Sequence, residues 1–378
     1  MTKLFNEFFN SEKAGGIILV IATVLSLVIA NSALQDGYIQ FWEFNIASHS
    51  LVHWINDGLM AIFFLLIGLE LEREIYVGEL ADIKNASLPI FGAIGGMLVP
   101  AGLFLLFNYG LSTQSGIGIP MATDIAFAVG ILSLLGNRVP LSLKVFIIAL
   151  AIIDDLGAII IIAIFYTTTL SLTNLFIALG VFALLIVLNR LKVRNLIPYL
   201  IGGLIMWYFM LHSGVHATIT GVLLAFAIPF GDGSHKSPSY VLQHFLHKPV
   251  AFIILPLFAI ANTSIAIGAD WMSGLATPSS LGIISGLLIG KPMGIFLFTL
   301  LAVTFGLSRL PEGLRWIHLI GAGFLAGIGF TMSIFITILA FDQPELVSSA
   351  KIAILIASVI AGTTGFIWLK NSLRPAVE

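Results

Sequence analysis

The stretch Gly116-Ile117-Gly118-Ile119-Pro120-Met121-Ala122-Thr123-Asp124 lies inside an apolar run long enough to cross a bilayer, yet its composition works against a continuous helix. Glycine costs about 1 kcal/mol relative to alanine inside a helix, and proline lacks the N–H that the helix needs and clashes with the preceding turn. A second run repeats the pattern, with Gly321, Gly323, Gly327 and Gly329 ahead of Phe330-Thr331-Met332-Ser333. Close packing of helices is the plainer use of glycine in a membrane span, and it suffices for Gly92, Gly95 and Gly96. At Pro120 and Gly327 polar residues follow directly, which favours a true break. Broken backbone in lipid leaves N–H and C=O groups that only protein or a water-filled cavity can meet, so these groups become available to ions.

The remainder of the chain is membrane protein throughout. Of 378 residues 58% are hydrophobic and 10% charged, against roughly 45–50% apolar and about 25% charged in a soluble domain. Mean hydropathy is +1.07. Apolar runs fall near 14–31, 52–75, 88–107, 116–136, 142–166, 174–190, 197–211, 215–229, 249–267, 281–303, 318–341 and 347–368, which predicts an all-α polytopic protein of about twelve transmembrane helices in one domain. The interrupted runs are numbers four and eleven. Each is the middle member of a trio, spans three to five and ten to twelve, as inverted repeats of secondary transporters show in sequence.

The first run resembles a signal peptide, with Lys3 and Lys13 before it, but Asp36 and Glu43 follow with no Lys or Arg until Arg73, so it reads as a retained span with an external connection. Arg73 and Lys84, Arg138 and Lys144, Arg190, Lys192 and Arg194, Lys236 and Lys248, Arg309 and Arg315, and Lys370 and Arg374 then fall in alternate connections, and so on one side, which predicts cytoplasmic termini. Lys351 can snorkel to the interface, whereas Lys291 lies mid-span in Gly290-Lys291-Pro292. With no cysteine, a disulfide frame and a thiolate metal site are excluded. No cofactor and no nucleic-acid partner are expected.

Span five places Asp154 and Asp155 at the middle of the apolar run Phe146–Ile160. Each charged aspartate at that depth costs roughly 2.5–3.5 kcal/mol on insertion scales, and intramembrane acids are functional by default. Adjacent helical residues diverge by about 100°, so one can line a cavity while the other meets a neighbouring helix. A low dielectric and a second carboxylate both favour protonation, so protons compete with any cation for these oxygens. Competition for one site, with a cavity opening to either side in turn, yields obligatory exchange without a covalent step. A small hard cation prefers oxygen ligands, and Thr123, Ser333 and freed carbonyls are candidates to complete a shell around Asp155. Asp124, just past the break, is placed to compensate helix dipoles. Lys291 is open to three readings: compensation at helix C-termini, a buried ion pair with Asp154, or a second proton carrier.

Trp54-Ile55-Asn56-Asp57-Gly58-Leu59-Met60 leading into Gly68-Leu69-Glu70, Ala122-Thr123-Asp124-Ile125-Ala126-Phe127, Ile152-Ile153-Asp154-Asp155-Leu156-Gly157-Ala158, Ser213-Gly214-Val215-His216-Ala217-Thr218 and Gly290-Lys291-Pro292 closely resemble the NhaA family of bacterial sodium/proton antiporters over nearly the whole chain. That family is itself a known case of inverted repeats. The resemblance implies an electrogenic exchanger of the inner membrane, moving more protons inward than sodium or lithium outward. Asp155 is then the principal ion ligand, Asp154 its proton-linked partner, and spans four and eleven cross as broken helices at mid-membrane.

It also implies pH regulation, for which Glu70, Glu72, Arg73, Glu74 and Glu79, with His216, His244 and His247, are the candidates. The charged cluster also reads as a solvated helix end, and the His pair, in a cytoplasmic loop after span eight, as solvated surface. Gln243 stands where best-known members carry a glutamate, and Asn31–Val52 is short for the hairpin through which relatives form homodimers.

Two other classes fit less well. An intramembrane aspartyl protease needs two acids on separate helices sharing a proton, and its glycine-aspartate motif is missing. Sodium-coupled symport of an organic solute on a related fold is the alternative transport reading, against which the bulky Leu, Ile and Phe residues around the aspartates argue.

Overall fold

The computed structural model describes residues 3–47, 49–166, 170–268 and 271–373; Arg374, one of the basic residues above, lies outside them. Each of the twelve expected runs has a helical counterpart. Among the described residues eight helices are long and apolar enough to cross a membrane: Leu51–Tyr76, Ala86–Asn108, Ser112–Ser133, Leu141–Phe165, Leu172–Arg190, Pro238–Asn262, Pro278–Thr304 and Pro344–Ser372. Ala14–Ala30 turns through 116° into Gln35–Glu43, and span eleven bends by 48° between Trp316–Ala326 and Phe330–Ala340. Ile197–Leu211 and Ile219–Ala227 are shorter. The latter begins late because Gly214, at φ +84°, turns the chain ahead of it. After Gln35–Glu43 a short antiparallel ladder pairs Asn45 with Ser50 and Ile46 with His49.

Burial does not follow apolarity along the chain. In the apolar stretch of Leu172–Arg190 11% of the residues are buried, as in a helix facing lipid, against 78% in Ser112–Ser133 and 67% in Leu141–Phe165. The broken helix and the aspartate helix are therefore shielded by protein.

Contacts divide the chain into two compact units. The first holds Met1–Ser11, Ile18–Ala81 and Ile159–Ser264. Within it Met60–Tyr76 packs on Ile219–Ala227, where Gly68 meets Val222 and Ala225 and Gly221 meets the Ala61 carbonyl. Span nine starts at Pro238 rather than near 249, because Ser237 caps the helix by accepting from the Tyr240 N–H at 3.4 Å and proline suits the first helical position.

The second unit holds Glu12–Ile17, Asp82–Ala158 and Ile265–Glu378, and so gathers spans three to five and ten to twelve. Within it the helices Ile83–Asn108 and Lys291–Thr304 approach closely, and Gly95 and Gly294 each face the other's carbonyl oxygen. Any side chain at either position must displace backbone. Gly95→Val is expected to lower the melting temperature and the yield of folded protein, by a stability loss of about 1–3 kcal/mol or more, with Gly95→Ala intermediate. Fluorescence-detected gel filtration after a temperature ramp measures this, and wild-type melting of the valine variant would show that the two helices separate at no cost.

Candidate functional site: crossed breaks around buried aspartates

In span four a 3-10 helix, Ser112–Met121, gives way to extended residues from Ala122 and then to the helix Ile125–Ser133. In span eleven Gly327-Ile328-Gly329 separates two helices. A Cβ at Gly327 would strike the Leu287 carbonyl, so only glycine permits that approach. The two breaks cross at Asp124, whose N–H donates to the Ile328 carbonyl at 2.6 Å. Backbone groups freed by one break are thus met by the other, which satisfies the requirement for broken backbone away from water.

Asp124 is 2% exposed and caps both second halves. Its Oδ1 accepts from the Phe127 N–H at 3.0 Å, and its Oδ2 accepts from the Thr331 N–H at 2.9 Å and the Thr331 hydroxyl at 2.6 Å. One carboxylate therefore lies at two helix N-termini, where partial positive charge favours it. Thr331 was not singled out by the sequence; a threonine directly after a glycine break is the signal that could have found it.

Asp154 and Asp155, both fully buried, project from Leu141–Phe165 in different directions. Asp154 Oδ2 pairs with Lys291 Nζ, also fully buried, on the helix that follows the π-helical turn Gly286–Gly290. Lys291 Nζ also donates to Thr123 Oγ1 at 2.8 Å. That hydroxyl lies 2.8 Å from Asp154 Oδ2 and 2.9 Å from the Ala326 carbonyl, and its single proton serves one of them at a time. Of the three readings of Lys291, the geometry is that of the ion pair with Asp154. Among the described residues, Asp155 Oδ1 and Oδ2 and Asp154 Oδ1 are buried without a hydrogen-bond partner. Thr123 and Ser333 do not form the expected shell around Asp155, because Thr123 is held by Asp154 and Lys291 and the Ser333 hydroxyl donates to the Ile119 carbonyl at 2.7 Å. Such unmet acceptors disfavour a bare charge and suit either a proton or a small cation.

The candidates for pH regulation lie in the first unit. Glu70 and Glu72 are buried, at 5% and 4% exposure, so this end of span two is no ordinary solvated surface. His247 is buried too, with Nδ1 3.5 Å from Glu70 Oε1, while His244 is exposed and stacks on Tyr240. The expected solvated loop is thus corrected: Gln243, His244 and His247 lie on the helix Pro238–Pro249, and only His244 faces outward. Glu74 is half-buried, and Arg73 stacks over the Tyr240 ring at 5.4 Å. His216 Nε2 lies 2.9 Å from the Tyr166 carbonyl. A buried pair, Asn56 with Asn262 (Asn262 Nδ2 to Asn56 Oδ1, 2.7 Å), was missed, although asparagine in two apolar runs was visible.

A family model described as Na+/H+ antiporter 1 matches residues 6–369. Over 373 residues the chain is 67% identical to a Flavobacterium johnsoniae protein named Na(+)/H(+) antiporter NhaA 1, covering 99% of this chain and 98% of the relative. It is 59% identical over 374 residues to a Cytophaga hutchinsonii protein named Na(+)/H(+) antiporter NhaA, covering 99% and 97%. An Escherichia coli protein of that name, from strain UTI89, is 49% identical over 387 residues, covering 99% of this chain and all of the relative.

Proposed function

The chain belongs to the Na+/H+ antiporter 1 family of secondary transporters, and from that premise we propose that it exports Na+ or Li+ across a bacterial inner membrane in exchange for a larger number of protons. The observation that carries this reading is the fully buried Asp155 carboxylate, whose two oxygens lack hydrogen-bond partners among the described residues, beside the Asp154–Lys291 pair. Asp155 is the principal ligand, taking either the cation or a proton. The second proton travels on the Asp154–Lys291 pair, which loosens when a cation charge arrives next to it. Asp124 holds the two crossed breaks together through the cycle. Spans three to five and ten to twelve act as inverted repeats forming the translocating core, which opens to either side in turn. That the relatives are named as exchangers of Na+ and H+ favours exchange over sodium-coupled uptake of an organic solute.

Both termini are cytoplasmic, in keeping with the alternation of basic residues. Glu70 and His247, buried in contact, together with Glu74, His216 and His244, adjust activity to pH.

Competition has a measurable consequence. In proteoliposomes carrying a preformed pH gradient, the sodium concentration giving half-maximal collapse rises as pH falls, by roughly tenfold per unit where one proton is displaced and more steeply for two. A half-maximal concentration that is constant with pH would refute competition. No collapse with sodium, lithium or potassium at any pH would refute exchange itself.

A further inference from the structure

The first unit contains a cleft that ion exchange does not use. It measures about 580 Å³ and is lined in part by Glu72, Tyr76, Ile186, Arg190, Phe230 and Asp232. That volume falls within the roughly 300–1,000 Å³ of small-molecule sites. Glu72 is 4% exposed, and its Oε2 is buried with no hydrogen-bond partner among the described residues. The rings of Tyr76 and Phe230 lie beside one another, centroids 5.0 Å apart and planes tilted by 40°. At the rim Asp232 and Arg190 are both exposed. Hydrogen bonds from the Ser234 side chain and N–H hold the Asp232 carboxyl below the usual carboxylate range, so it is ionised at neutral pH.

A buried carboxyl oxygen without a partner is costly, which selects a ligand that donates to it. An anion would face Glu72 and Asp232. A wholly apolar molecule would leave Glu72 unmet, and a bare metal ion would leave the ring walls unused. An ammonium group donates to Glu72 and is attracted to the faces of Tyr76 and Phe230, while an apolar body covers Ile186.

We propose that this cleft binds the ammonium head of an amphipathic amine, with its charge on Glu72 and its apolar body against Tyr76, Phe230 and Ile186. Two sources carry that chemistry: a free arylalkylamine, and the head group of an aminophospholipid, whose phosphate then meets Arg190.

The test uses full-length protein purified in a non-ionic detergent. Tryptamine is titrated calorimetrically, with 3-methylindole as its uncharged counterpart. Tryptamine is expected to bind saturably, at least roughly tenfold more weakly to Glu72→Gln, and not at all to Ile186→Trp, which fills the cleft and leaves Glu72 in place. Asp155→Asn is expected to bind like wild type, because the cleft shares no residue with the proposed ion site. Native mass spectrometry after exposure to mixed phosphatidylethanolamine and phosphatidylglycerol separates the sources. Selective retention of phosphatidylethanolamine, lost in Glu72→Gln and displaced by tryptamine, assigns the cleft to lipid; tryptamine binding without it assigns the cleft to free amines. Absence of saturable binding by either probe, equal affinity in wild type and Glu72→Gln, or loss in Asp155→Asn but not in Glu72→Gln, each overturns the proposal.

Discussion

Sodium-induced collapse of a preformed pH gradient is expected to vanish in proteoliposomes carrying Asp155→Asn. The substitution conserves shape and removes both the charge and the second carboxylate oxygen, while leaving the Asp154–Lys291 pair and the Asp124 caps intact. A cation taken from water into a fully buried site needs a formal negative charge to offset its desolvation, and an amide supplies only a dipole. The amide also cannot carry a proton, so both halves of the exchange fail together. A loss of roughly a hundredfold or more in rate follows at any single sodium concentration, equivalent to about 2.8 kcal/mol. Because no buried hydrogen bond to Asp155 is broken among the described residues, the variant should melt no lower than wild type. Retained exchange in a correctly folded Asp155→Asn protein would remove Asp155 from the ion path.

Lys291→Met is expected to be the most destabilising single change among the site residues. It leaves Asp154 as a fully buried carboxylate whose remaining hydrogen-bond partner among the described residues is the Thr123 hydroxyl. Removing one member of a buried ion pair typically costs about 3–5 kcal/mol, whereas replacing both by apolar residues is often neutral or better. The double variant Lys291→Met with Asp154→Leu should therefore recover most of the lost melting temperature while staying inactive. The sign of the pH effect follows from which state is penalised. In Lys291→Met the burden is the ionised Asp154; at low pH that group takes up a proton and the burden disappears, so the deficit relative to wild type grows as pH rises. Differential scanning fluorimetry in detergent between pH 5 and pH 9 reads this. A single variant that melts with wild type at all pH values, or a double variant no better than the single, would mean that the pair carries no stability.

Both predictions rest on residues of very different visibility. Asp154, Asp155 and Lys291 were evident from composition, because a charge in the middle of an apolar run is costly in any arrangement of helices. The breaks at Pro120 and Gly327 were evident too, since a missing N–H or a missing Cβ acts on the local backbone. The apolar runs located a helix for each expected span, because hydrophobic thickness is a local length, though not its ends, as the start at Pro238 shows.

What depended on segments meeting across the chain was not legible. Asp124 closes on Thr331, 207 residues away, and nothing in either neighbourhood names the other. Angular divergence along the helix allowed one of the adjacent aspartates to meet a neighbouring helix, and a pair of Asp154 with Lys291 was one of three readings open for that lysine; the packing of the helices selected it. The same holds for Ser333, drawn to the Ile119 carbonyl instead of Asp155, and for His247, buried against Glu70 once Ser237 and Pro238 started its helix early. By itself the sequence determined which groups are costly to bury and where the backbone must break, because those are properties of single residues and their immediate neighbours. Only the tertiary structure decided which partner each group meets, because that follows from the close packing of helices remote in the chain.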